Sequence, residues 1–373
     1  MTEKQTAKQL ESTAQAATDI TLQGKGDLGH ILSTNSADGP SMQGFDAKFS
    51  DIIDYIIKVT HEIWEERGIG RLYDYYGTNM RIHTSDGDIY SREKVIESTI
   101  QSLAAFPDRR LYGDEVIWTG DGRGGFYTSH RLTHEGHNWG HTAYGPPTGR
   151  KVSYRAIADC HVVDNVIVEE WLVRDELSLI HQLGFDVQEM ARKLAAMETR
   201  SSQLVTVPAE AERLRGQLPP ESFVADGGSE VENFVRRAFH EIWNWRLLNK
   251  IRDYYGPKYI CDSASGRQFY GRNQFANYIL SLLSPFPDLA LSVDHFCALE
   301  DGAGRYRTAT RWSMAGTHTG PGVYGRPTGK QIQIMGISHH LIENGCFVQE
   351  WTVFDEFALL KQLYRPEEKN DVV

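Results

Sequence analysis

The sequence predicts an α+β protein made of two tandem copies of one domain, and two observations support this. First, the stretch beginning at Tyr144 returns without a gap at Tyr324. Both contain Tyr-Gly-x-Pro-Thr-Gly and a basic residue, then a β run, an Asn-containing turn, Glu-Trp and Asp-Glu. Second, each copy starts with helical periodicity and continues with β-rich runs. Helices followed by a strongly curved antiparallel sheet that wraps over them are typical of an α+β plan.

The repeat extends upstream of this stretch. His-Glu-Ile-Trp occurs at residues 61–64 and 240–243, and Asp-Tyr-Tyr-Gly at residues 74–77 and 253–256. A period this long indicates a duplicated domain rather than a solenoid. We therefore expect five segments: a partly disordered N-terminal arm at 1–44, domain 1 at 45–185, a helix and linker at 186–229, domain 2 at 230–365 and a tail at 366–373.

Within domain 1, apolar residues from Phe49 to Trp64 recur at helical spacing. The later elements are predicted in this order: a short helix at 72–76, a strand at 80–84, a turn at 86–87, a helix at 93–105, β runs at 110–119, 125–135, 150–163 and 166–174, and a helix at 176–183. Domain 2 repeats this order, from a helix at 231–245 to a helix at 357–363. A further helix is expected between the copies, at 187–200.

Composition limits the kind of partner. The formal charge of −11 over 373 residues argues against nucleic acid or an anionic membrane surface. The four cysteines form no C-x-x-C pair, which favours reduced thiols in a cytoplasmic protein. No apolar run approaches the roughly 20 residues of a membrane span, and the first residues lack the apolar core of a secretory signal.

The repeated stretch resembles the SnoaL-like polyketide cyclases of the nuclear transport factor 2-like superfamily. Domain 2 carries the resemblance in GTHTG at 316–320, GRPTGK at 325–330, Glu350-Trp351 and Asp355. The resemblance implies two cone-shaped domains, each with a blind pocket for a small molecule. Two such domains are expected to pack sheet to sheet as an intramolecular pseudo-dimer, with further homodimerisation left open.

The chemistry of that family does not transfer by position. Its acid/base aspartate falls at Leu172 in domain 1 and at Thr352 in domain 2. Neither side chain exchanges a proton near neutral pH.

Strand alternation supplies other candidates, because residues two apart share one face of a sheet. Domain 2 offers Ser338, His340, Glu350 and Thr352. A three-residue turn near Asn344 would place His340 opposite Glu350, whereas a two-residue turn would place His339 there. Either histidine is a candidate base oriented by Glu350, although a purely structural His–Glu pair remains an alternative.

By the same alternation, domain 1 offers Tyr154, Cys160, Glu170 and Arg174. Further candidates for ligand contact recur at matching positions of both copies: Arg131 and Arg311 for a carboxylate, and Trp64, Trp243, Tyr76 and Tyr255 as pocket walls.

Metal and cofactor motifs are weak. The histidine-rich segment of domain 1, from His130 to His141, lacks the helical spacing of a metal site. Gly-rich residues 121–125 lie between β runs rather than before a helix, unlike a phosphate loop. We therefore expect no metal and no cofactor.

Two hypotheses about function follow. The first is a cofactor-independent enzyme, a cyclase, dehydratase/lyase or isomerase, that moves protons on a small carbonyl or aromatic metabolite. In it, Ser338, Thr352 and Arg311 would hold the developing oxyanion. The second is a small-molecule-binding or assembly module that has lost the acid/base. A mixed case, with one copy catalytic and the other structural, also stays open.

Overall fold

The computed structural model describes residues 42–121, 123–197 and 228–366. Within them, each copy forms one six-stranded sheet with its helices, so the predicted α+β plan of two tandem domains is confirmed. Almost all of the expected N-terminal arm lies outside the described residues, as do most of the linker and most of the tail.

Domain 1 begins with a helix that continues into one π-helical turn. Asp51 caps this helix, because its carboxylate accepts the N–H of Asp54 at 2.8 Å. The elements of domain 1, in order, are α1 (Ile52–Thr60), the π turn (His61–Glu65), a 3-10 turn (Ile69–Arg71), α2 (Leu72–Tyr75), β1 (Tyr76–Thr84), β2 (Gly87–Tyr90), α3 (Arg92–Ala105), β3 (Arg110–Asp121), β4 (Gly125–His137), β5 (Lys151–Val163), β6 (Val166–Arg174) and α4 (Glu176–Leu183).

Domain 2 repeats these elements after one intervening helix, α5 (Val187–Met197). They are α6 (Glu230–Phe239), a π turn (His240–Asn244), a 3-10 turn (Leu248–Lys250), α7 (Ile251–Tyr254), β7 (Tyr255–Asp262), β8 (Gln268–Tyr270), α8 (Gly271–Leu283), β9 (Ala290–Glu300), β10 (Arg305–Thr317), β11 (Gln331–Glu343), β12 (Cys346–Phe354) and α9 (Glu356–Tyr364).

The sheets are mixed, which corrects the expectation of a purely antiparallel sheet. Strand β1 pairs with β6 in parallel, and β7 pairs with β12 in the same way. The other pairings are antiparallel, in the orders β2-β1-β6-β5-β4-β3 and β8-β7-β12-β11-β10-β9. The first strand is therefore inserted beside the last one, and both contribute to the face that covers the helices.

The hairpin between β11 and β12 combines a two-residue turn with a bulge. Asn344 and Gly345 have φ of 50° and 71°, as a tight hairpin turn requires. Glu343 pairs with Cys346, but beyond Leu341 the register shifts by one residue, so His340 lies opposite Glu350. The sequence left two registers open, and the bulge decides between them. Domain 1 has the same shift between His161 and Val162.

The two sheets pack against each other through the faces that point away from their helices. The contact is an apolar cluster of buried residues from both domains: Ile157, Val173, Met335, Ile337 and Val353. Residues at alternate positions, such as Ala158, face the helices instead. Strands β5, β6, β11 and β12 thus have one side on a cavity and the other side on the partner domain.

Candidate functional site

Each domain encloses a cavity between its helices and its sheet. The cavity of domain 1, together with the solvent space at its mouth, measures about 620 Å³ and is walled by α1, the π turn, β1 and β3–β6. Its apolar wall includes Ile56, Val59, Trp64, Leu132, Ile167 and Leu172. Its polar lining comprises Tyr76, Arg109, His130, His134, Cys160, Glu170 and Arg174.

Glu170 is the carboxylate of this cavity. It is buried on β6, and its Oε2 accepts a hydrogen bond from the hydroxyl of Tyr76 at 3.1 Å. Burial raises the pKa of Glu170 to about 7, although Tyr76 and Arg174 act in the opposite direction. Glu170 therefore sits where a carboxyl group can both accept and return a proton near neutral pH.

Two arginines line the same cavity. Arg109 donates to the hydroxyl of Ser102 at 2.6 Å but forms no ion pair with any described carboxylate. Arg174 lies 3.8 Å from Glu176, and its side chain is 47% exposed, so water can reach this part of the cavity. Burial lowers the pKa of Arg109, and the nearby Tyr154 and Glu176 offset the loss of solvation only in part.

Two histidines add unpaired nitrogens. His134 is 7% exposed and stacks on Tyr154 at 4.9 Å, and neither of its ring nitrogens has a partner in the described chain. Nε2 of His130 likewise has no partner among the described residues. Burial, helped by nearby cations, lowers the pKa of His134 well below its ordinary range and that of His130 to about 3. Both rings are therefore neutral near pH 7.

The second cavity, in domain 2, measures about 550 Å³ together with the solvent space at its mouth, and it is mostly apolar. Trp243 contributes to its wall, while Tyr255 packs outside it on Tyr259 and Phe275. Its polar lining includes Ser338, Glu350 and Thr352.

Glu350 is fully satisfied by its neighbours. It accepts hydrogen bonds from the hydroxyls of Tyr259, Thr352 and Ser338, the last at 3.4 Å. Burial raises its pKa, and these three bonds partly offset the effect. Tyr259, which the sequence did not single out, thus takes the place that Tyr76 has in domain 1.

The surroundings of His340 do not favour the expected role as a base. Its Nε2 lies 3.7 Å from Glu350, too far for a hydrogen bond, and its Nδ1 contacts Thr308 at 3.2 Å. The ring packs between Phe239 and Phe347 and is absent from the cavity lining. Burial lowers its pKa to about 3. His340 is therefore a neutral core residue beside the carboxylate.

His339 faces the other domain. Its Nε2 lies 2.8 Å from Ser129 and its Nδ1 lies 2.9 Å from Glu115, with no exposed surface. Successive strand residues point to opposite faces of a sheet, so this ring cannot reach the cavity. The expectation that His339 pairs with Glu350 is thus corrected, since it lies opposite Trp351.

Arg131 and Arg311 also lie between the domains rather than in a cavity. Arg311 donates to Asp159 at 3.2 Å and stacks on Trp171. Arg131 contacts Glu115 at 3.3 Å and stacks on Trp351. Their guanidinium groups are occupied by protein partners, so neither can bind a substrate carboxylate in a cavity.

The remaining sequence candidates from domain 1 lie at or beside its cavity. Trp64, Tyr76, Cys160 and Glu170 line it, whereas Tyr154 supports it by stacking on His134. Arg109 was missed. A comparison of matching positions in the two copies could have indicated it, because charged and polar residues of one copy are apolar in the other. Arg109, His134, Tyr154 and Arg174 in domain 1 correspond to four apolar residues in domain 2: Leu289, Met314, Ile334 and Phe354.

Neither a metal centre nor a membrane span emerges from the described ranges. No three His, Cys, Asp or Glu side chains converge there as metal ligands would, and His137 instead bonds Asp108 at 2.6 Å. No helix in the described part of the chain is long and apolar enough to cross a bilayer.

Comparisons with known proteins show what the chain is similar to. The chain is similar to a protein described as a SnoaL-like polyketide cyclase from Jannaschia sp. CCS1 (18% identity, 38% of this chain and 99% of that one, TM-score 0.33). It is also similar to AclR from Streptomyces galilaeus (23%, 37% and 97%, TM-score 0.32) and to TsrD from Streptomyces laurentii (22%, 36% and 96%, TM-score 0.31). No curated protein matches significantly. The family model of SnoaL-like polyketide cyclase matches residues 55–183 and 233–363, more than half of the sequence, and the chain therefore belongs to that family.

Proposed function

We propose that the chain is a cofactor-independent enzyme of acid/base chemistry whose active site is the cavity of domain 1. Glu170 is the proton acceptor, and the substrate is a small carbonyl or aromatic metabolite. The observation that carries the proposal is the position of Glu170: a buried carboxyl on an open cavity, with a pKa of about 7 and a tyrosine that orients it.

The chemistry starts with removal of a proton from a carbon next to a carbonyl group. The C–H bond breaks, its electron pair moves into the carbonyl to form an enolate, and the proton passes to Glu170. The enolate then attacks a second carbonyl, expels a leaving group or is reprotonated at another carbon. Protonated Glu170 returns its proton in the final step. These outcomes correspond to a cyclase, a dehydratase/lyase and an isomerase.

Tyr76 and the apolar wall support this role. The Tyr76 hydroxyl holds the Glu170 carboxylate in one orientation. The apolar side chains keep the carboxylate poorly solvated, which makes it a stronger base than one in water. Glu170 forms no ion pair with a described cation, and it is therefore free to change its protonation state.

Domain 2 fits the second hypothesis, a binding or assembly module. Its carboxylate is saturated by three hydroxyl groups, and its cavity is lined by no described arginine, lysine or histidine. We therefore propose the mixed case, in which domain 1 is catalytic and domain 2 completes an intramolecular pseudo-dimer. A cytoplasmic location is part of this proposal, in line with four free cysteines.

The test uses 2-tetralone, an aromatic ketone with acidic hydrogens beside its carbonyl. Hydrogen–deuterium exchange at that carbon is followed by NMR in deuterated buffer, with and without the protein. We expect wild type to accelerate exchange and Glu170→Gln to remove roughly 100-fold of the acceleration.

The outcome that overturns the proposal uses the equivalent carboxyl of domain 2. If Glu350→Gln abolishes the acceleration and Glu170→Gln does not, the active site is in domain 2. Thermal unfolding of both variants shows whether each remains folded.

A further inference from the structure

The cavity of domain 1 has two chemically different ends. Along β4, His134 lies four residues from His130, and along β6, Arg174 lies four residues from Glu170. Four residues of a strand span about 13 Å. Register places His134 beside Leu111 and Tyr154, and places Glu170 beside Cys160. One end therefore carries His134 and Arg174, together with Arg109 just before β3, and the other end carries Glu170.

The cationic end holds two arginines but only one described carboxylate beside them, that of Glu176. Arg109 has no ion pair with a described carboxylate, and Arg174 has only Glu176 at 3.8 Å among the described residues. The Glu176 carboxylate is already engaged by the hydroxyl of Tyr144 at 2.6 Å. Buried or partly buried charges are normally paired, because leaving one unpaired is costly. This end of the cavity is thus short of negative charge.

His134 is an independent sign of a missing ligand. The ring is more than nine-tenths buried and lines the cavity, yet both nitrogens lack a partner in the described chain. Buried polar groups in proteins almost always have a hydrogen-bond partner. A neutral imidazole offers one N–H donor and one acceptor. An anion seated between the two arginines would accept the N–H.

We infer that domain 1 binds an aromatic carboxylic acid, with its carboxylate held by Arg109, Arg174 and His134 and its apolar body extending towards Glu170. This rests on the proposed function in that the reacting carbon must reach Glu170. A planar carboxylate matches the two parallel donors of a guanidinium group. A phosphate would bring a second negative charge into an apolar cavity that already holds Glu170, which favours the monoanion.

Domain 2 provides an internal contrast. At the positions of Arg109, His134 and Arg174 it has Leu289, Met314 and Phe354, all of which line its cavity. The same fold therefore presents an apolar surface where domain 1 presents two cations and an imidazole. The carboxylate-binding end is confined to one copy.

The test compares three probes of one shape by calorimetry on the full chain: 2-naphthoate, its neutral amide 2-naphthamide, and 2-naphthyl phosphate. We expect naphthoate to bind roughly ten-fold or more tightly than naphthamide, about the gain from one charge-assisted hydrogen bond. It should also bind more tightly than the phosphate. Arg109→Met and Arg174→Met should each remove most of the preference, and Arg174→Lys should restore part of it. The control, Arg123→Met, removes the same charge from an exposed turn and should keep the preference.

Two results overturn the inference. One is equal binding of naphthoate and naphthamide by the wild type, a comparison that stays decisive even if a variant does not fold. The other is an unchanged preference in both methionine variants. If either occurs while Glu170→Gln still removes exchange of 2-tetralone, the carboxylate inference fails and the proposed function stands. If the preference depends on the arginines but Glu170→Gln retains exchange, the carboxylate site stands and the proposed role of Glu170 fails.

Discussion

Arg311 of domain 2 stacks on Trp171 of domain 1, with its guanidinium carbon 3.7 Å from the ring centre. The equivalent residues, Arg131 and Trp351, make the same contact in the opposite direction at 4.1 Å. A contact that recurs with the two partners exchanged is the arrangement found at two-fold interfaces. The two arginines at matching positions of the repeat thus hold the domains together.

Replacement of Arg311 by Met should destabilise the protein. The change leaves Asp159, which is 3% exposed, without its cation. Breaking one side of a buried pair costs about 3–5 kcal/mol. Urea unfolding should show a loss of this size, and Asp159→Asn in the same background should recover part of it. A loss no larger than that of the exposed Arg123→Met would contradict this prediction.

Glu115 should make the domain interface sensitive to acid. Burial raises its pKa, but the His339 hydrogen bond and the charges of Arg131 and Arg307 outweigh burial and lower it below the ordinary 4.5. The folded state therefore holds the proton less tightly than the unfolded chain. This stabilisation is present above about pH 4.5 and is lost as pH falls through the folded pKa.

Glu115→Gln is the variant that checks this pH dependence. Its free energy of unfolding, measured by urea titration from pH 6 to pH 3, should fall less steeply than that of wild type. An identical slope in the two proteins would rule out Glu115 as a source of the acid sensitivity.

Glu170 should change the stability with pH in the direction opposite to Glu115. Its folded pKa of about 7 lies above the ordinary 4.5, so its contribution is fully present below pH 4.5 and is lost as pH rises towards and through 7. The penalty is on the order of 3 kcal/mol. Glu170→Gln should therefore be more stable than wild type at pH 8, with little difference at pH 4.

The exchange rate of 2-tetralone should rise with a midpoint near pH 7, because the ionised form is the base.

His340→Leu tests whether the histidine beside Glu350 takes part in the reaction. The ring lies outside both cavities, so exchange of 2-tetralone should be unchanged. Stability should fall by about 1 kcal/mol, because Thr308 loses a hydrogen bond inside the core. If the variant unfolds normally but no longer accelerates exchange, the prediction is wrong and His340 takes part in the reaction.

Local patterns predicted most of the fold. The predicted β run at 166–174 and helix at 176–183 match β6 and α4, since the hydrophobic period and the Asp175 cap are local signals. The edge strand at Gly87–Tyr90 was missed, because its four residues are too few to show alternation. Parallel pairing of β1 with β6 was also missed, since contacts between residues this far apart leave no local pattern.

The site was harder to predict than the fold. Strand parity indicated the cavity positions of Cys160, Glu170 and Arg174, and the structure has all three there. It could not indicate Arg109, which precedes its strand, or Tyr259, which replaces the tyrosine that the repeat made prominent. A residue in a loop lies outside the alternation of a strand. A hydrogen-bond donor that comes from a different position of the repeat cannot be found by that alternation either.

The sequence alone determined the duplication and the α+β plan. These depend on residue identity and on patterns along the chain. Only the tertiary structure decided that His339, Arg131 and Arg311 serve the domain interface and that the charged cavity belongs to domain 1. One bulge sets the register of β11 and β12, and the second sheet covers the face that would otherwise meet solvent. The stretch shared by the two copies thus builds the same frame twice, and the residues that differ between the copies give the two cavities different chemistry.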